Sequence, residues 1–254
     1  MESIWESKGQ AFFAREKILP SGCVDLLINL GPPHWLLDPD TGMKAVEYRT
    51  TWLSGMQERF VLTESPRDVW MIGVRLYGLG AYTFLGAVHG ELSNTVVDLD
   101  LLLGRAALAL RERLAGTPGA EARLRLTESF VAAHIERGAS PDHGIAWAQS
   151  QITAREGQVR IGELQRELGL SRKGFAARFR RYVGLSPKSF AGIQRFQSVV
   201  RLLAGSRAPG WAEVAQDCGY HDQAHFYHDF RNFCGCTPPE FLRARIPDGG
   251  MVAD

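Results

Sequence analysis

The pattern of hydrophobic and polar positions changes period along this chain. Through residues 1–100, short apolar runs are separated by turn residues. Cys23-Val24-Asp25-Leu26-Leu27-Ile28-Asn29-Leu30 stops at Gly31-Pro32-Pro33, which predicts a strand followed by a turn. Trp52-Leu53-Ser54-Gly55 and Val69-Trp70-Met71-Ile72-Gly73-Val74-Arg75-Leu76 have the same character. Several short strands so punctuated predict a small barrel or sandwich: a β-rich, barrel-like or α+β domain with trailing helices. The period then lengthens. Leu103, Ala107, Leu110 and Leu114 recur at helical spacing, and Gly116-Thr117-Pro118-Gly119 ends that helix. A second helix carries Leu124, Val131 and Ile135. Gly138-Ala139-Ser140-Pro141-Asp142-His143-Gly144 reads as a linker, and a helix around 145–154 opens the remainder.

Residues 161–190 and 211–241 repeat one pattern. Glu163, Leu164 and Gly169 align with Glu213, Val214 and Gly219. Beyond the central turn, which is one residue longer in the second copy, Ser171 aligns with Asp222, Phe175 with Phe226, and Phe179 with Phe230. Arg180 aligns with Arg231, Gly184 with Gly235, Pro187 with Pro238, and Phe190 with Phe241. Each copy predicts a short helix stopped by a glycine. A second helix follows, capped by Ser171 or Asp222 and striped with Phe at i and i+4. Gly184 or Gly235 ends it, and Ser186-Pro187 or Thr237-Pro238 starts another with a cap and a proline. Helix, tight turn, helix is the arrangement that sets a second helix into a DNA major groove. This half therefore predicts an all-α double helix-turn-helix domain. An ordinary helical-hairpin repeat would share the apolar pattern, and charge separates the two readings.

The net charge of +1 hides an asymmetry: residues 1–150 carry −4 and residues 151–254 carry +5. No acid lies between Glu167 and Glu213, an interval holding Arg172, Lys173, Arg178, Arg180, Arg181, Lys188, Arg195, Arg201 and Arg207. A merely solvated helical surface mixes signs, whereas groove binding requires phosphate neutralisation. The hydrophobic content of 45% excludes a disordered chain. No apolar run nears the roughly 20 residues of a membrane helix. The start, Met1-Glu2-Ser3-Ile4-Trp5-Glu6, lacks a secretory pattern. Cys23, Cys218, Cys234 and Cys236 make no disulfide framework, so a reducing cytoplasm is the simplest compartment.

With these pieces in place, the sequence resembles the bacterial AraC/XylS transcription regulators. The first unit matches through Glu163-Leu164, Gly169-Leu170-Ser171, Phe179-Arg180 and Gly184-Leu185-Ser186-Pro187, followed by Arg195 and Leu202-Leu203. The second matches through Gly219-Tyr220, Asp222-Gln223-Ala224-His225-Phe226, Phe230-Arg231 and Gly235-Cys236-Thr237-Pro238. The resemblance covers about residues 142–245. It implies two helix-turn-helix subdomains joined by one long helix, here about 188–203. The N-terminal part is similar to the companion domain of some members through Gly22-Cys23-Val24-Asp25-Leu26 and Ile72-Gly73-Val74-Arg75-Leu76, which identifies no effector.

Helical periodicity picks the DNA-facing residues. With Phe175 and Phe179 inward, Arg172, Lys173, Ala176, Ala177 and Arg180 face the groove beside the cap Ser171. Arg172 and Lys173 suit guanine O6/N7, and the alanines suit thymine methyls. Arg180, Arg181 and Lys188 suit phosphates. Gly174 costs its helix about 1 kcal/mol relative to Ala. Close backbone approach to DNA and sequence accident both remain open as its reason. The second reader helix offers Gln223, Ala224, Tyr227, His228 and Arg231, with acids at Asp222 and Asp229. Gln223 suits adenine. The resemblance puts arginine more often where Ala177 and His228 stand. The first unit is expected to dominate affinity.

Other constellations are weaker. His221, His225 and His228 with Cys218, Cys234 and Cys236 invite zinc, but the repeat assigns them to helices and no Cys-x-x-Cys occurs, so no metal or other cofactor is expected. Gly78-Leu79-Gly80 lacks the third glycine of a dinucleotide loop and shows no strand-to-helix step. The sequence contains no phosphate-binding loop, nucleophile elbow or His-Glu-x-x-His, so a non-enzyme is expected. Trp5, Trp35, Trp52 and Trp70 either line a ligand pocket or fill a core. The Leu103–Leu114 stripe is either a dimer seam or internal packing.

The expected organisation is a β-rich sensor or oligomerisation domain at 1–137, a linker at 138–143, the DNA-binding domain at 144–246, and a flexible tail at 247–254. Its partner is double-stranded DNA, with RNA polymerase, a small-molecule effector and a second copy of the chain as further partners, and no membrane. A constitutive activator with an interaction module in place of a sensor is the alternative, and an enzyme in the N-terminal domain a remoter one.

Overall fold

The computed structural model describes residues 1–11, 13–205, 210–244 and 251–252. Arg207 and most of the expected tail lie outside them. The strands are β1 (Ser3–Gln10), β2 (Arg15–Ile18), β3 (Cys23–Asn29), β4 (His34–Leu37), β5 (Lys44–Tyr48), β6 (Thr51–Ser54), β7 (Val61–Glu64), β8 (Asp68–Tyr77), β9 (Val96–Asp98) and β10 (Met251–Val252). They form two antiparallel sheets, ordered β1-β8-β3-β6-β9 and β10-β2-β7-β4-β5.

Alternation decides which way each side chain of the first sheet points. Val24, Leu26 and Ile28 of β3, Leu53 of β6, and Ile72, Val74 and Leu76 of β8 are at most 3% exposed and pack under helices. Asp25, Leu27, Trp52, Ser54 and Met71 face the second sheet. The N-terminal half is thus layered: helices, sheet, sheet.

The covering helices are α1 (Gly78–Leu85), continued by a 3₁₀ turn Gly86–Glu91, then α2 (Asp100–Leu103), α3 (Arg105–Gly116) and α4 (Ala120–Arg137). The expected Leu103–Leu114 stripe is broken at Gly104, whose φ of +58° ends α2. Leu110 and Leu114 of α3 pack on Ile28 and Ile72 of the chain's own sheet, so this stripe is internal. Helix α1 is absent from the sequence reading, which found no strand-to-helix step at Gly78; β8 runs directly into it there. A Cβ at Gly78 would stand 2.7 Å from the Val183 carbonyl oxygen, so this glycine permits close chain packing.

The C-terminal half comprises α5 (His143–Ala154), α6 (Ile161–Glu167), α7 (Arg172–Val183), α8 (Pro187–Gly205), α9 (Trp211–Asp217), α10 (Gln223–Cys234) and α11 (Pro238–Ala244). Asp142, at the edge of the expected linker, caps α5 by accepting from the Ile145 N–H at 3.1 Å. One core runs from Val24, Leu53 and Val74 through Ala81 and Phe84 of α1 into Phe175, Phe179 and Val183 of α7. A second gathers Val214, Phe226, Phe230 and Phe241. Helix α8 serves both, with Phe190 and Ile193 in the first and Phe196, Val199 and Leu203 in the second. Among the described residues no helix is long and apolar enough to cross a membrane.

Candidate nucleic-acid interface

Both repeats fold as their residues require. Gly169 and Gly219 hold φ of +62° and +74° and stop α6 and α9. Ser171 Oγ then accepts from the Gly174 N–H at 3.1 Å, and an Asp222 carboxylate oxygen accepts from the His225 N–H at 2.8 Å. These are the N-caps of α7 and α10. Each helix buries one stripe: Phe175, Phe179 and Val183 in α7, and Phe226, Phe230 and Cys234 in α10. Gly184 and Gly235 close them in the left-handed conformation, with φ of +99° and +72°. A Cβ at Gly174 would lie 3.1 Å from Ser171 Oγ, so the glycine gives the cap room.

The opposite faces differ. On α7, Arg172, Lys173, Ala177, Arg180 and Arg181 are exposed and Ala176 is half-buried. On α10, Gln223, Ala224, His228 and Arg231 are exposed, while Tyr227 is half-buried edge-on to Trp211. Ser171 and Lys188 are also exposed, at the ends of the first unit. The basic interval is not uniformly available. Arg178 lies 3.7 Å from Asp142, and Arg201 lies 2.8 Å from Glu156. Arg195 donates to the Gly157 carbonyl at 3.0 Å and sits over the Tyr220 ring. Arg172, Lys173, Arg180, Arg181 and Lys188 make no ion pair with described residues, which concentrates unneutralised charge on the first unit.

The N-terminal half holds the far end of α7. A Cβ at Gly90 of the 3₁₀ turn would lie 3.1 Å from Arg180 O and Arg181 Cα. The Tyr82 and Tyr182 rings meet edge-on at 4.6 Å, and Ser93 Oγ donates to the Gly184 carbonyl. His89, 1% exposed, lies against Gly184. Burial lowers its pKa to about 4, opposed only in part by the Val183 carbonyl, so it is neutral at pH 7. Sequence reasoning missed this wedge because nothing in Gly86-Ala87-Val88-His89-Gly90 marks a partner distant in the chain.

A cavity of about 110 Å³ lies between the two sheets, lined by Leu27, His34, Trp35, Tyr48, Trp52 and Met71 among others. His34 is 6% exposed, its Nε2 has no partner, and burial lowers its pKa to about 4. Of the four tryptophans considered from sequence, Trp35 and Trp52 line this cavity. Trp70 instead donates its indole N–H to Glu6 at 2.7 Å beside the buried Arg123, and Trp5 packs on Gly73. No cluster of three or more His, Cys, Asp or Glu suited to a metal occurs among the described residues.

Residues 164–244 match a family described as a helix-turn-helix domain, and residues 1–98 match a domain of unknown function, DUF6597. A Haemophilus influenzae protein described as an uncharacterized HTH-type transcriptional regulator is 31% identical over 84 residues, which are 33% of this chain and 28% of that protein. Structures of ToxT from Vibrio cholerae are also similar. One at 14% identity covers 95% of this chain and 98% of its own, with a TM-score of 0.49. Another, described as bound to unsaturated fatty acid, covers 94% and 93% at 14% identity and a TM-score of 0.45.

Proposed function

We propose that the protein is a sequence-specific transcription regulator of the AraC type that inserts α7 and α10 into successive major grooves of promoter DNA, a reading supported by the helix-turn-helix match over residues 164–244. The observation that carries this reading is the exposed, unneutralised face of α7, Arg172, Lys173, Arg180 and Arg181, on a helix capped and packed as a reader helix. Arg172 and Lys173 read guanine, Ala176 and Ala177 meet thymine methyls, and Arg180, Arg181 and Lys188 hold phosphates. Gln223, Ala224, Tyr227, His228 and Arg231 make the second, weaker contact, with Ser171 at the mouth of the first. The domains divide as 1–137, 138–143 and 144–246, followed by 247–254, of which Met251–Val252 pair with β2 rather than hanging free. The test is selection of bound sites from random duplex DNA by the full-length protein. A site with two half-contacts one helical turn apart is expected. Neutralising three phosphates, through Arg180, Arg181 and Lys188, gives a slope of about −2.7 in log affinity against log salt. Failure to bind any duplex at low salt overturns the reading.

The N-terminal half then acts as the sensor. The unpartnered His34 Nε2 beside a cavity walled by Leu27, Trp35, Trp52 and Met71 supports this role, since a small, mainly apolar molecule with a hydrogen-bonding group would satisfy it. Such a ligand changes DNA binding only by favouring one arrangement of the two halves, through the wedge against α7. A metabolite screen by thermal shift checks it, with wild type stabilised and His34→Phe not. No stabilising ligand would instead favour a constitutive regulator.

A further inference from the structure

Cys234 and Cys236 flank Gly235 at the end of α10, and DNA reading leaves them without a role. Their side chains are 0% and 7% exposed, and their sulfurs lie 3.3 Å apart. Fully extended, Cα atoms two residues apart are about 7.3 Å from each other. The positive φ of Gly235 folds the chain back between them, toward the roughly 4.4–6.8 Å that a disulfide spans. The two thiols are also electrostatically unequal. A hydrogen bond from Cys234 draws the Cys236 thiol below its ordinary value against the cost of burial, with help from Lys17 and Arg231. The same hydrogen bond and burial push Cys234 up. Cys23 and Cys218 are both pushed up by burial, and Cys23 donates to the Glu2 carboxylate at 3.0 Å.

The turn is also a junction. The Phe60 N–H donates to the Phe233 carbonyl at 2.9 Å, and the Phe60 ring lies against Gly235. Lys17 Nζ sits 4.7 Å over that ring. On the other side, Thr237 and Glu240 start α11 through a 2.7 Å bond from the Thr237 N–H. A change of shape at Gly235 thus reaches α10, α11 and the N-terminal half together.

We propose that Cys234 and Cys236 are a redox modification site, a dithiol that a hydroperoxide converts into an intrachain disulfide, and that the disulfide weakens the second unit's contact with DNA. The Cys236 thiolate attacks the distal peroxide oxygen, the O–O bond breaks, and a sulfenic acid forms as hydroxide leaves and takes up the proton the thiol lost, giving the first water. The Cys234 sulfur then attacks the Cys236 sulfur, losing its proton, and a second water departs. Two thiols and one hydrogen peroxide become one disulfide and two waters.

The effect on DNA rests on the proposed function, whereas the modification does not. Full-length reduced protein is exposed to hydrogen peroxide, freed of it, unfolded in guanidinium chloride, alkylated with iodoacetamide, and digested with trypsin. Peptide 232–243, cut after Arg231 and Arg243, should be lighter by two hydrogens and unalkylated, with Cys23 and Cys218 alkylated. Alkylation of both Cys234 and Cys236 after peroxide overturns the site. The oxidised protein should bind duplex DNA roughly 5- to 10-fold more weakly, reversibly with dithiothreitol, and Cys234→Ser and Cys236→Ser should show no such response. Equal affinity of oxidised and reduced wild type overturns the link to DNA. If the reduced protein binds no DNA, the proposed function fails while the peptide map still decides the dithiol. The map uses wild type, so a variant that does not fold leaves it intact.

Discussion

The two helix-turn-helix units share an inside and differ outside. Inward, α7 presents Phe175, Phe179 and Val183, and α10 presents Phe226, Phe230 and Cys234, each with two edge-packed phenylalanine rings near 5.8 Å. Outward, α7 shows Arg172, Lys173, Arg180 and Arg181, where α10 shows Gln223, Ala224, His228 and Arg231. Packing constrains the buried stripe at the level of single methylene groups. The exposed face answers only to the partner it meets. The repeat therefore preserves a scaffold and leaves its two reading faces free to diverge, one toward charge and one toward neutral hydrogen bonding.

The largest effects test the shared inside. Phe179 and Phe230 are both fully buried; the Phe179 ring touches two others and the Phe230 ring three. Phe179→Ala and Phe230→Ala should each cost about 3–5 kcal/mol in urea unfolding. A loss under about 1 kcal/mol for either one would show that the units are not equivalent scaffolds. Anchorage to the N-terminal half is the next difference, because His89 serves the first unit alone. A histidine held near a pKa of 4 when folded and near 6.5 when unfolded binds fewer protons in the folded state. Stability is therefore complete above pH 6.5 and falls as pH drops toward 4, by about 2 kcal/mol at pH 5 for each such histidine. His34 adds a similar slope from the barrel. His89→Gln should remove roughly half of the acid loss measured by denaturation at pH 7 and pH 5. An unchanged acid loss would place the titrating group elsewhere.

How much of this was legible in sequence depended on distance along the chain. The caps Ser171 and Asp222, the stops Gly184 and Gly235, and the buried phenylalanines came from local rules and stand where they were expected. The strands through Cys23–Leu30 and Val69–Leu76, read from apolar runs and turn residues, are β3 and β8. Contacts between distant segments were hidden. Gly78 and Gly90 each let backbone approach α7 from the other half, which nothing local to either glycine marks. Arg123 of α4 is buried against Glu6 at 2.7 Å, a partner on β1 that no local pattern around Arg123 announces. The basic run looked like one phosphate-binding surface, yet Arg178, Arg195 and Arg201 are engaged within the fold. Composition counts charges, and only the tertiary partners show which remain available.

That availability gives the DNA-binding contrast. Lys173→Ala removes an exposed, unpaired cation near the start of α7, and should weaken operator binding about tenfold and relax discrimination at the guanine it reads. Gln223→Ala should cost less and leave the salt slope unchanged, because an uncharged side chain releases no counterion. Equal or reversed losses in a shift assay would break the ranking of the two units.

The smallest effects sit at the caps, where the two units solve one problem with different chemistry. Ser171 supplies one neutral acceptor to α7, and Ser171→Ala should cost about 1 kcal/mol at any pH between 4 and 8. Asp222 supplies a carboxylate to α10. The His225 N–H, followed by the His221 ring at 2.9 Å, holds its pKa below the ordinary aspartate value. A lowered folded pKa means stability that is full above the unfolded pKa and is lost as pH falls through the folded one. Asp222→Ala should therefore lower the melting midpoint more at pH 7 than in acid, while the Ser171→Ala shift stays level. Asp222→Asn isolates the charge, since it keeps an acceptor for the N–H but loses the attraction to the helix N-terminus. If Asp222→Asn matches wild type at both pH values, the second cap works by geometry alone, and the two caps are equivalent.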